Sequence, residues 1–171
     1  DSITWSQASG LNYPWLIYNY IKPCKYINKG IGGINSSEML VNKHDNMYFN
    51  ASIITIGIGM NDSANQGVSV ATYKTNLSTF IDRLRTYNPN AKIILCTPSG
   101  TTSATRTPYI SNYRVAMEEI ATLKSCYLCK FHEAITDANI TSYSSDGIHP
   151  NATGHLLLMG KLQPIIDEIL G

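Results

Sequence analysis

The stretch Ala51–Ile58, Ala-Ser-Ile-Ile-Thr-Ile-Gly-Ile, limits the fold more than any other. It is almost continuously apolar and rich in β-branched side chains, which is the character of a strand covered on both faces in a parallel sheet. Parallel strands cannot be joined by a hairpin, so helical crossovers must lie between them. The sequence supplies them. Beyond the loop 59–67, Val70, Tyr73, Leu77, Phe80, Ile81 and Leu84 recur at steps of three and four, and Asn88-Pro89-Asn90 ends that helix. Lys92–Cys96 is a second buried strand, followed by a polar loop from Pro98 to Pro108. Tyr109–Leu123 is a helix with Ile110, Tyr113, Met117 and Ile120 on one side. Cys126–Phe131 is another strand, and Asn151–Leu170 a final helix with Gly160 and Pro164 as kink points.

Towards the N-terminus, residues 11–22 read as a helix with Pro14 in its first turn and Pro23 at its end. Cys24–Asn28 reads as a short strand, and a segment from about Ser36 to His44 as a helix capped by Ser36 or Ser37. This alternation predicts an α/β protein, a three-layer α/β/α sandwich with a mainly parallel central sheet. With 171 residues and no repeat, low-complexity tract or change of composition, the expectation is one domain spanning 1–171.

Charge narrows the partners. Thirteen Lys and Arg against 12 Asp and Glu give a formal charge of +1, so there is no electrostatic case for nucleic acid or an anionic membrane. No apolar run approaches the roughly 18 residues of a membrane span, and no basic segment precedes an apolar one at the start. Charged residues are only 15% of the chain while Tyr alone numbers 11. Such an uncharged polar surface suits an extracellular, virion or carbohydrate-facing protein. The four cysteines, Cys24, Cys96, Cys126 and Cys129, read as buried free thiols. Cys126 and Cys129 have redox-motif spacing but no helix N-terminus after the first and no second pair for zinc. His44-Asp45 and His132-Glu133 lack a third ligand at metal spacing, so neither metal nor cofactor is expected.

In such a sheet, function gathers in the loops beyond the C-terminal strand ends. Asp146-Gly147-Ile148-His149-Pro150 places a carboxylate three residues before a histidine, with glycine allowing a tight turn. That spacing can hold an imidazole in one tautomer, which is half of a Ser-His-Asp triad. Ser2 offers the nucleophile, and the N–H groups of Ser2 and Gly33 with the Asn61 amide offer oxyanion donors. Each piece has an ordinary alternative. A Ser beside an Asp is commonly a turn or cap. Gly30, Gly32 and Gly33 could simply permit positive φ, and a phosphate cradle lacks its Lys-Ser/Thr ending. Asn61-Asp62 could be an Asx-turn, Asp146 and His149 an ordinary loop pair, and His155 a packing or surface residue.

Taken in order, Asp1-Ser2-Ile3-Thr4, Asn28-Lys29-Gly30-Ile31-Gly32-Gly33, Gly59-Met60-Asn61-Asp62 and Asp146-Gly147-Ile148-His149-Pro150 resemble the four blocks of the SGNH hydrolases, the GDSL-type esterases and lipases. The resemblance spans nearly the whole chain. It implies Ser2, Gly33, Asn61 and His149 as the name-giving residues and Asp146 as the triad acid, with Gly32 an alternative to Gly33. It also implies a buried strand ending in Gly ahead of the nucleophile. The sequence begins at Asp1, so an upstream strand or domain is expected to supply it.

The function implied is a serine esterase removing small acyl groups, acetyl above all, from a carbohydrate, because the loops are rich in Ser, Thr and Asn rather than apolar. A lysophospholipase or thioesterase with the same triad is the alternative enzyme. A non-catalytic carbohydrate-binding or structural module of a larger surface or phage-tail protein is the alternative of another class.

Overall fold

The structure, a computed structural model, describes residues 1–5, 11–41 and 50–171. Three parallel strands, β1 (Ile53–Gly57), β2 (Lys92–Cys96) and β3 (Tyr127–Cys129), lie in the order β1-β2-β3. The register pairs Ile53 with Lys92 and Gly57 with Cys96, then Ile94 with Tyr127 and Cys96 with Cys129. Around them stand α1 (Ser2–Trp5), α2 (Tyr13–Ile21), α3 (Ser36–Val41), α4 (Val70–Tyr87), α5 (Ile110–Leu123), α6 (Phe131–Ala134) and α7 (Ala152–Leu170).

The central strand shows why two helical layers are required. Successive side chains of a strand point to opposite faces, and both faces of β2 are apolar. Ile93 and Leu95 enter a core with Tyr73, Leu77, Ile81 and Leu84 of α4 and Tyr113 and Met117 of α5. Ile94 and Cys96 enter the opposite core with Ile17 of α2 and Leu158, Leu162 and Ile166 of α7. The expected α/β sandwich is therefore the observed fold. Among the described strands β1 is an edge, and its burial alternates instead of being continuous. No helix of the described residues is long and apolar enough to cross a membrane.

The structure corrects several local expectations. Cys24–Asn28 forms no strand. Cys24, Lys25 and Ile27 are exposed, so pairing there would bury little apolar surface, and Cys24 is not a buried thiol. Cys96 and Cys129 are buried and Cys126 partly so; all four are free. The cap of α3 is Asn35 rather than Ser36 or Ser37. Its Oδ1 accepts from the N–H groups of Ser37 and Glu38, and Glu38 Oε2 accepts from Asn35 N–H, a reciprocal capping box. The expected continuation of α3 to His44 lies outside the described residues. Pro150 stands before the cap of α7, which is Asn151, and the helix runs on through Gly160 and Pro164.

Leu95 is fully buried at the centre of the sheet. Leu95→Ala should cost about 3 kcal/mol, the usual size for emptying such a site, and should lower the urea midpoint with little change in slope. An unchanged midpoint would contradict the central position of β2.

Candidate active site

Ser2 lies in the first turn of α1, at the C-terminal end of β1, where the Asp1 nitrogen donates to Gly57 O at 3.1 Å. Four residues are too few for a self-sustaining helix, so α1 depends on its surroundings. Asp1 Oδ1 accepts the Ile3 N–H at 3.0 Å. Thr4 Oγ1 bonds the buried Tyr13 hydroxyl at 2.9 Å. Asn28 Nδ2 donates to Thr4 O at 2.8 Å, and Asn28 Oδ1 accepts Gly30 N–H at 2.8 Å. A Cβ on Gly30 would lie 2.3 Å from Trp5 N, so glycine is what lets the loop press against α1.

The loop 144–149 is built around one carboxylate. Asp146 Oδ1 accepts from Ile148 N–H at 2.9 Å, His149 N–H at 2.8 Å and Ser144 Oγ at 2.9 Å. Its Oδ2 lies 2.6 Å from His149 Nδ1. Partial burial pushes the Asp146 carboxyl up, but the bonds from His149, Ile148 and Ser144 outweigh this and hold it well below the usual carboxylate range. Gly147 has φ +71°, and a Cβ there would meet Thr102 Oγ1 at 2.0 Å. The Gly147 carbonyl accepts from Thr102 N–H at 3.0 Å and Thr101 Oγ1 at 2.9 Å.

The two ends of the chain meet. His149 Nε2 is 2.9 Å from Ser2 Oγ, on the side of the ring opposite Asp146. One continuous line of hydrogen bonds thus runs from hydroxyl through imidazole to carboxylate.

Asn61 leads out of the β1 loop, and its Nδ2 donates to Ile34 O at 2.9 Å. That bond ties it to the glycine turn, where Gly33 is exposed with φ +75° and open space where a Cβ would stand. Gly32 sits closer to the protein, since its Cβ would touch the Trp5 ring at 3.3 Å. Behind Asn61, the fully buried Asp62 accepts Ser36 N–H at 3.0 Å, and burial pushes its carboxyl up. His155 is buried too. Its Nδ1 accepts Tyr13 N–H at 3.3 Å, and burial lowers its pKa to about 4, so it is a neutral residue packed at the start of α2. Among the described residues no group of three or more His, Cys, Asp and Glu is gathered as metal ligands would be.

Sequence reasoning missed the braces. Arg114 forms a two-pronged pair with Asp137, at 3.0 and 2.8 Å, and also donates to Pro98 O and Ser99 O. Asp137 Oδ1 in turn accepts Thr101 N–H at 2.9 Å, the residue whose hydroxyl holds Gly147. Arg114 occupies an apolar-periodic helix, where its spacing gave no sign of this. Asn28 and Gly30 carried a signal, a glycine-dense loop after an Asn, but it does not say which backbone the loop approaches.

Residues 1–157 match the model of the GDSL-like lipase/acylhydrolase family, and the chain belongs to that family of carboxylic ester hydrolases. The "isoamyl acetate-hydrolyzing esterase 1 homolog" of Mus musculus is 26% identical, over 98% of this chain and 79% of its own. Among solved structures, LAE5, an alpha/beta hydrolase enzyme from the metagenome of Lake Arreo, superposes with TM-score 0.80 at 20% identity, covering 99% of this chain and 93% of its own. The acetylxylan esterase Axe2 of Geobacillus stearothermophilus gives 0.78 at 20% identity, covering 99% and 90%. At these identities the superpositions speak for the fold.

The lowered Asp146 pKa sets the expected pH dependence. A carboxylate held below its usual range stays ionised on acidification, so loss of kcat/KM towards low pH should follow a single ionisation. A plot of log kcat/KM against pH should fall with unit slope; a slope of two would show the Asp146 carboxyl taking up a proton in the same range.

Proposed function

We propose that the chain is a serine esterase that removes small acyl groups, acetyl in the first place, from a hydroxylated, carbohydrate-like alcohol. The observation that carries the catalytic part is the line Ser2 Oγ–His149 Nε2 and His149 Nδ1–Asp146 Oδ2, at 2.9 and 2.6 Å. His149 takes the Ser2 proton as Oγ attacks the ester carbonyl, and Asp146 holds the imidazole in the needed tautomer and stabilises its cation. The tetrahedral oxyanion is met by the Ser2 and Gly33 N–H groups and the Asn61 amide. His149 then protonates the departing alcohol. Water, deprotonated by the same ring, attacks the acyl-enzyme, and the carboxylic acid leaves as Ser2 regains its proton.

Two things support the choice of acyl group and alcohol. The loops 61–67, 98–108 and 139–145 are rich in Ser, Thr and Asn, which favours hydroxyl-bearing ligands over lipid chains. The mouse relative and Axe2 are both named for acetate esters.

Hydrolysis of a short-chain aryl ester by the protein and by Ser2→Ala tests the nucleophile, and the variant should be nearly inactive. Equal rates would refute the assignment. Across a series of esters, kcat/KM should fall as the acyl chain lengthens, and a preference for long chains would replace this reading with a lysophospholipase-like one. Asn61→Ala should lower kcat by about 10²–10³, the usual effect of deleting one oxyanion donor; a normal kcat would remove Asn61 from the mechanism.

A further inference from the structure

The loop 101–107 touches both halves of the site. On one side Thr101 and Thr102 hold the Gly147 carbonyl of the acid–base loop. On the other, Thr105 O accepts Asn65 N–H at 2.7 Å, and Arg106 reaches the residues before Asn65. The loop is internally braced, since Ser103 O accepts from the N–H groups of Arg106 and Thr107, both at 2.9 Å. The guanidinium therefore projects from a fixed base. Its Nε donates to Met60 O at 3.1 Å, its Nη1 to Ser103 Oγ at 3.1 Å, and its Nη2 approaches Asn61 Oδ1 at 3.5 Å.

We propose that Arg106 is a positioning residue for Asn61, fixing the amide by its oxygen while Ile34 O takes one of its two N–H groups. The remaining N–H is then the one left for the oxyanion. An unrestrained primary amide can present oxygen or nitrogen to a ligand, and an oxygen turned towards a developing oxyanion would repel it. A guanidinium, which can only donate, excludes that orientation. Its charge also draws electron density towards Oδ1, which strengthens the opposite N–H as a donor. All three acceptors of Arg106 are neutral, so the positive charge is not cancelled by them. The planar fork is needed, because an ammonium cannot reach Met60 O, Ser103 Oγ and Asn61 together.

The proposal rests on Asn61 being an oxyanion donor, and a double-mutant cycle separates the two claims. Rates are measured on a short-chain aryl ester for the unaltered protein, Arg106→Ala, Arg106→Lys, Asn61→Ala and the Arg106→Ala/Asn61→Ala pair. Thermal melting is followed for each, and kcat is expressed per active site titrated with an aryl phosphonate. Arg106→Ala should lower kcat about tenfold with KM nearly unchanged, a fraction of the loss on removing the donor itself. Arg106→Lys should not restore the rate, whereas added guanidinium ion should raise that of Arg106→Ala. In the Asn61→Ala background, Arg106→Ala should cost nothing further. A normal kcat in Arg106→Ala, or losses that multiply in the pair, would overturn the positioning role, and a raised KM would make Arg106 a substrate contact instead. A normal kcat in Asn61→Ala alone would instead overturn the oxyanion reading on which it stands.

Discussion

Ser2, the proposed nucleophile, stands on a helix that cannot hold itself. With four residues and the Trp5 N–H to Asp1 O bond at 3.0 Å, α1 would melt in isolation, and the direction of Ser2 Oγ is set by what surrounds it. Asn28 fastens its last turn, Tyr13 holds Thr4 from beneath, and Gly30 admits the loop to the helix backbone. Tyr13 is in turn seated by His155 and stacked edge-on against Phe131. The placement of Ser2 thus depends on contacts reaching as far as α7.

The Asp146–His149 pair is held by a different chain of forces. Three donors converge on one oxygen of Asp146 and leave the other for the imidazole. This division keeps the carboxylate ionised and fixes its orientation. The carbonyl of Gly147 continues the line outwards to Thr101, Asp137 and Arg114, whose side chain is largely buried in α5. Charge at the far end is well satisfied, since the guanidinium has two carboxylate and two carbonyl contacts. Removing Asp137 would leave the buried guanidinium without its counter-ion, a larger disturbance than the pair's own net contribution, whereas the Asp137 side chain is 40% exposed and better solvated.

Legibility in the sequence followed the range of the physics. The helix 70–87 was visible because burial of one face imposes a period on the chain, and the strand 53–57 because it lies in a short, almost continuously apolar and β-branched run. The hydrogen-bonded line of Asp146, His149 and Ser2 was anticipated because Asp146 and His149 interact through a local turn, and Ser2 joined them through a resemblance spread over four blocks. Cys24–Asn28 misled because apolar and β-branched residues can also be exposed in extended chain, where only the partner decides. Asn35 was overlooked as a cap although Glu38 three residues on completes the pattern of a capping box. Arg106 and Arg114 were invisible for another reason. Long side chains act at a distance from their own backbone, and no spacing rule specifies which carbonyl or amide they will find.

The double attachment of loop 101–107 limits how such an enzyme can change. Polar loops at a site mouth are ordinarily where new substrate preferences arise with least harm. Here that freedom is unequal, because the Thr101 side chain ties this segment to the histidine loop and the Arg106 side chain ties it to the Asn61 loop. In the segment 139–145, Asn139, Ile140, Tyr143 and Ser144 are committed to bonds or to the core, while Thr141, Ser142 and Ser145 carry fewer obligations. Divergence in ester preference would therefore be expected to accumulate at those positions, with loop 101–107 held nearly constant by its two attachments.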